Sequence, residues 1–190
     1  MNNFSKLLLA FLALSLTISS CKKDDEPETP VIPNEEEVIT TLIYRLTPAL
    51  GGDEITFSFV DIDGDGGQDP IYTEPTLMAN TSYAASIELF NETEDPAENI
   101  TLEIDEEDEE HQFFFSTDLS GTSVSYADFD NNGNPIGLST VLETTDAGSG
   151  TLTITLRHEP NKEGTGVSDG DITNAGGETD IEVSFNVEVQ

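Results

Sequence analysis

The stretch at residues 180–189, "DIEVSFNVEV", decides the fold. Its apolar side chains, Ile181, Val183, Phe185, Val187 and Val189, alternate with Glu182, Ser184, Asn186 and Glu188. A period of two places all five on one face of a β-strand. The same texture recurs upstream. "TLTITLRHE" at 151–159 turns Leu152, Ile154 and Leu156 inward, and "EITFSFVDI" at 54–62 aligns Ile55, Phe57 and Phe59. "VITTLIYRLTPA", "SYAASIELF", "HQFFFST", "SVSYADF" and "GLSTVLETT" complete the set. About eight such runs, separated by turn-rich segments, predict an all-β domain over 38–190: an antiparallel, Ig-like β-sandwich. No strand–helix–strand rhythm and no glycine-rich dinucleotide loop occurs in the sequence.

Two segments between the strands are less regular. Residues 96–111, "PAENITLEIDEEDEEH", fit a strand through Ile100, Leu102 and Ile104, or a short helix with Ile100 and Ile104 on one face. Crowded like charges weaken an isolated helix, so a strand to about Ile104 and then an acidic loop is expected. Residues 159–179, "EPNKEGTGVSDGDITNAGGET", carry five glycines and little to bury. A loop of that length is expected to be functional or disordered. At 126–137, "YADFDNNGNPIG" reads as a hairpin, because Asn132-Gly133 tolerates positive φ and links two apolar-patterned strands.

Ahead of the sandwich the composition changes. Residues 1–20 run from a short polar start with Lys6, through the apolar stretch 7–18, to the small residues Ser19 and Ser20, the layout of a secretory signal. "ISSC" resembles a bacterial lipobox, which implies that Cys21, the only cysteine, is lipidated and becomes the new N-terminus. More than one acyl chain on one residue holds a protein firmly on a membrane. "CKKDDE" resembles the lysine-plus-acidic tag of surface-exposed Bacteroidota lipoproteins, which implies the outer face of the outer membrane; the periplasmic face is the alternative. Residues 21–37, with three prolines and seven acidic residues after the cysteine, read as a tether.

Thirty-nine Asp and Glu against six Lys and Arg give a net charge of −33. Phosphate binding needs basic patches, so nucleic acid is excluded as a partner. The membrane contact expected is the lipid on Cys21, not the protein surface. The acidity suits a solvated surface in saline surroundings, or divalent cation sites.

The first candidate ion site is "DIDGDGGQD" at 61–69, where Asp61, Asp63, Asp65 and Asp69 alternate with glycines. Calcium takes six to eight hard oxygens, and this pattern lets a short loop converge them. The loop departs from an EF-hand: Tyr72 stands at the twelfth position, and no helix flanks it. A plain Asp/Gly turn is the simpler expectation. "DFDNNG" is a second, shorter echo through Asp128, Asp130 and Asn132, equally readable as a bare turn. The only histidines, His111 and His158, sit near strand ends with Glu109, Glu110 and Glu159 beside them. Two His and carboxylates can bind zinc or another transition metal; surface histidines in an acidic protein are the simpler expectation. No G-x-S-x-G elbow is present, and a glycosidase carboxylate pair cannot be singled out among so many acids.

From 38 to 190 the motifs "LTPALGG", "DIDGDGG", "FNETEDPAENIT", "EEHQFFF", "YADFDNNGNPIGL", "LRHEPNK" and "DITNAGGETDIEV" resemble a group of small flavobacterial lipoproteins. Members carry the label type 1 periplasmic binding fold superfamily protein. The label implies two doubly wound lobes of alternating strands and helices. The strand patterns imply the sandwich instead. The resemblance implies no catalytic or ligand residues. The reading of the whole chain is a lipid-anchored, non-enzymatic binding module, calcium-supported at the Asp61 loop. Alternatives are an accessory lipoprotein capturing a small ligand or glycan for a transporter, and third a hydrolase.

Overall fold

The computed structural model describes residues 37–64 and 66–190. The expected leader, Cys21 and all but the last residue of the tether lie outside the described residues, as does Asp65. In chain order the elements are β1 (Thr41–Pro48), β2 (Ile55–Val60), β3 (Ile71–Thr73), β4 (Thr76–Leu77), β5 (Thr81–Asn91), β6 (Glu98–Asn99), α1 (Ile100–Glu106), β7 (His111–Thr117), β8 (Thr122–Tyr126), β9 (Ser139–Thr144), β10 (Gly148–His158) and β11 (Glu178–Val189). Eight strands have five residues or more, and each coincides with one of the eight runs read from the sequence.

Two sheets form. One runs β3-β2-β1-β5-β9-β8, with β6 also on β5; the other runs β4-β11-β10-β7. Every pairing is antiparallel except the short β4–β11 contact at Glu188↔Thr76 and Val189↔Leu77. The chain is all-β and sandwich-like, so the doubly wound lobes implied by the family label are not its architecture. The inward faces meet as alternation dictates. Leu42, Tyr44, Leu46, Phe57 and Tyr83 from the larger sheet and Leu152, Ile154, Leu156, Val183 and Phe185 from the smaller are buried in one core. Phe57 and Phe185 pack edge to face across the layers with ring centroids 5.5 Å apart. Among the described residues no helix is long and apolar enough to cross a membrane.

The segment after Pro96 differs from expectation. Only Glu98 and Asn99 pair as a strand, and Ile100–Glu106 is an α-helix. Asn99 caps it by accepting from Thr101 N, which satisfies one of the backbone donors a helix start leaves unpaired. Ile100 and Ile104, one turn apart, are buried while Leu102 is exposed. The helical spacing therefore wins over the alternating one. Burial of two isoleucines against β5 outweighs the few tenths of a kcal/mol by which each like-charge pair opposes a helix.

The glycine-rich segment 159–179 is ordered, with 3₁₀ turns at Val167–Asp169 and Ile172–Asn174. Its apolar residues Val167, Ile172 and Ala175 pack on Phe114, which points away from the main core. Gln112, buried beside it, donates from Nε2 to Val167 O at 2.9 Å. The loop thus covers the outer face of β7, and in doing so it frames the end of the sheet where β7, β10 and β11 come together. Phe114→Ala should cost about 3–5 kcal/mol in urea unfolding and should expose residues 159–179 to proteolysis under native conditions. Persistent protection of the loop in that variant would show that Phe114 is not what seats it.

Candidate metal centre

At one end of the smaller sheet, His111 opens β7 and His158 closes β10, and the register sets the two directly opposite each other. Both follow the inward phase of their strands, His111 with Phe113 and His158 with Leu156 and Ile154. Cross-strand neighbours on one face touch, and the imidazole centroids lie 4.6 Å apart. His111 is 0% exposed and His158 5%. Neither is the surface histidine expected from the sequence.

Asp180 joins them through an irregularity. The alternation that turns Ile181 and Val183 inward would send Asp180 to solvent. Between β10 and β11, however, Leu156 pairs with Ile181 and Arg157 with Thr179, so Asp180 is the extra residue of a β-bulge. A bulge re-aims the side chain it carries, and the Asp180 carboxylate is 0% exposed. Glu37 supplies the fourth group, from outside any strand. Its side chain is 4% exposed, with Oε1 3.2 Å from His111 Nε2 and Oε2 3.7 Å from His158 Nδ1. Asp180 Oδ2 lies 3.9 Å from His111 Nε2, and Oδ1 lies 3.7 Å from His158 Nδ1. One donor atom from each of Glu37, His111, His158 and Asp180 falls within 4.8 Å of the others.

The far side of His111 fixes its tautomer. Nδ1 is 3.2 Å from the carbonyl oxygen of Glu107, the residue that caps the C-terminal end of α1. A carbonyl only accepts, so Nδ1 carries the proton and Nε2 faces the carboxylates. An N–H donated to a backbone carbonyl while the other nitrogen meets the site is how metal-binding histidines are oriented. Burial works against a charged imidazole here, but pairing with Glu37, the Glu107 carbonyl and Asp180 outweigh it, and the His111 pKa is raised. Burial likewise pushes the Glu37 carboxyl up. Pairing with His111, its own backbone N–H and the charges of both histidines prevail and hold it below its usual value. Imidazolium and a divalent ion are therefore alternative positive charges for the same carboxylates. Glu37 Oε2 is buried and accepts no hydrogen bond among the described residues.

The donor set suits a borderline transition ion. In a tetrahedral zinc site with bonds of about 2.0–2.1 Å, donors stand about 3.3 Å apart. The four histidine–carboxylate separations, 3.2 to 3.9 Å, lie close to that value, and one donor atom from each residue falls within 4.8 Å of the others. Calcium, which takes six to eight oxygens, is poorly served by two nitrogens and two carboxylates. A second group, Glu110, His158 and Glu159, shares His158 at the solvent side, with both glutamates exposed. The sequence names the two histidines and Glu110 and Glu159 as neighbours. It conceals Glu37, which reads as tether, and Asp180, whose phase only the bulge reverses.

The aspartate-rich loops are arranged differently. Asp61 Oδ1 accepts from Gly64 N at 3.0 Å, and the Asp63 carboxylate accepts from Gln68 N at 3.2 and 3.1 Å. Among the described residues no three of these loop carboxylates gather within 4.8 Å, with Asp69 described and Asp65 not. In the second loop, Asp128 accepts from Gly137 N and Ser139 N, each at 2.8 Å. Asp130 Oδ1 accepts from Asn132 N and Asn134 N, both at 2.9 Å. The cation facing Asp130 belongs to the chain itself. Lys162 Nζ donates to Asp130 Oδ2 at 3.1 Å, to Pro135 O at 3.2 Å and to Asp108 O. Asn132 contributes its backbone N–H to this turn. A groove of about 500 Å³ beside β4 and β11, lined by Glu74, Thr76, Asn186 and Glu188 among others, is polar, holds no aromatic ring and shares no residue with the histidine cluster.

No family model, curated protein or solved structure matches the chain. Function is therefore argued from the geometry.

The Lys162–Asp130 pair is fully inside the protein, with side chains 5% and 1% exposed. Removing one partner of such a pair costs about 3–5 kcal/mol, because the other charge stays buried, and Lys162→Met should show that loss at pH 7. Burial raises the Asp130 pKa, but the N–H of Asn134, Lys162 and the N–H of Asn132 outweigh it and hold it below 3.8. A depressed folded-state pKa stabilises above the unfolded value and ceases to do so as pH falls through the folded one. The stability gap between wild type and Asp130→Asn should therefore narrow on acidification below about pH 4. A gap constant from pH 7 to pH 2 would contradict this assignment.

Proposed function

We propose that the chain is a lipid-anchored, non-enzymatic surface module whose folded domain holds one divalent transition-metal ion between Glu37, His111, His158 and Asp180. The observation that carries this is the meeting of two buried imidazoles and two buried carboxylates, one donor atom from each within 4.8 Å of the rest. Burying two carboxylates is costly without positive charge between them. The His111 N–H committed to Glu107 O supports ligation rather than mere packing. The anchor is supported by the lipobox-like "ISSC" and the apolar stretch before it. Four protein donors close a tetrahedral site, which favours retention of the ion over catalysis at an open position.

Zinc titrated into chelator-treated protein should bind at one equivalent. At about 100 times its dissociation constant it should stabilise the fold by about 2.7 kcal/mol. His111→Ala and His158→Ala should each weaken binding about 100-fold or more. Zinc must displace the proton that His111 holds, so affinity should rise with pH through the histidine range. Calcium in the same assay, with Asp63→Ala as its control, tests the Asp61–Asp69 loop separately. If zinc stabilises no more than magnesium at matched ionic strength, its effect is screening of the −33 charge and the site reading fails.

A further inference from the structure

We infer that metal capture and the fastening of the domain's N-terminal segment are one event, with Glu37 as the ligand that closes the site. This rests on the metal reading above and deepens it. Three of the four donors belong to a preformed framework: His111 on β7, His158 on β10 and Asp180 at the bulge of β11, strands paired in one sheet. Glu37 does not. It precedes β1, a strand of the opposite sheet, and reaches across to the histidines. Its side chain is 4% exposed while its neighbour Val38 is 56% exposed, so the segment turns one carboxylate inward and leaves the adjoining apolar residue in water.

What holds Glu37 there is its carboxylate. Among the described residues, the first backbone hydrogen bond from the segment to a distant strand is Thr40 N to Phe90 O at 3.0 Å, reinforced where Thr40 Oγ1 accepts from Glu92 N at 2.8 Å. The two carboxylate oxygens divide between the two histidines, one toward each. An ion centred among the donors bonds to that carboxylate directly. Binding linkage is reciprocal: the factor by which Glu37 tightens ion binding is the factor by which the ion tightens docking of Glu37. The loaded domain has residues 37–40 strapped along its histidine end. Removing the ion loosens the strap while leaving His111, His158 and Asp180 in place.

The test uses the full chain and zinc. A glutamate-specific protease must take the Glu37 side chain into its own pocket to cut the 37–38 bond, and mass spectrometry identifies the fragment beginning at Val38. With chelator that fragment should accumulate; with saturating zinc it should form at least about tenfold more slowly, while an unstructured glutamyl peptide added to the same tube is cut at an unchanged rate. In Glu37→Gln, which keeps the side chain's shape, zinc should bind about tenfold or more weakly through the three remaining donors. Equal rates of Val38 fragment with and without zinc, or wild-type zinc affinity in Glu37→Gln, would overturn the strap and leave the metal site standing. A wild-type chain that binds no zinc would overturn the metal reading itself.

Discussion

The described structure turns on the neutralisation of buried carboxylates. A chain with 39 acidic and six basic side chains can keep most of its acids in water, but not all. Glu37, Asp180 and Asp130 are each withdrawn from solvent, and each withdrawal costs several kcal/mol unless positive charge comes with it. For Asp130 the fold spends Lys162, one of only three basic residues beyond the tether. Against Glu37 and Asp180 it sets the two histidines. Those two solutions differ in kind. A lysine ammonium is permanent at neutral pH, whereas an imidazole can hand its role to an ion.

This difference gives the two poles of the sequence's acidic motifs opposite meanings. The second candidate cation loop, Asp128 to Gly133, is satisfied from within by backbone N–H groups and Lys162. The histidines, which look like ordinary surface residues in sequence, sit against two buried carboxylates, Glu37 and Asp180. Arg45 pairs with Glu54 and Glu88 on the opposite sheet, and Arg157 reaches Gly177 O.

The eight long strands were legible because alternation is a local signal, written every second residue from Ile181 to Val189 and in the other runs. The helix at Ile100–Glu106 was harder, since isoleucines four apart satisfy both periods and only the exposure of Leu102 separates them. Of the candidate metal centre, the pairing of His111 with His158 needed the register of β7 on β10, which no local pattern encodes. Asp180 was misplaced by the alternation itself, because a bulge inverts the phase of one residue while leaving the strand's pattern intact. Glu37 was hidden by composition, the last of three consecutive glutamates in a segment that otherwise has the makeup of a linker.

The donors are spread from Glu37 to Asp180, nearly the whole length of the domain, and three of them require a completed sheet. No fragment shorter than 37–180 contains all four donors. A polypeptide that crosses a membrane unfolded therefore cannot carry an ion in this arrangement. Such a polypeptide would take up an ion only where it folds, from the metal supply of that compartment and not of the one it left.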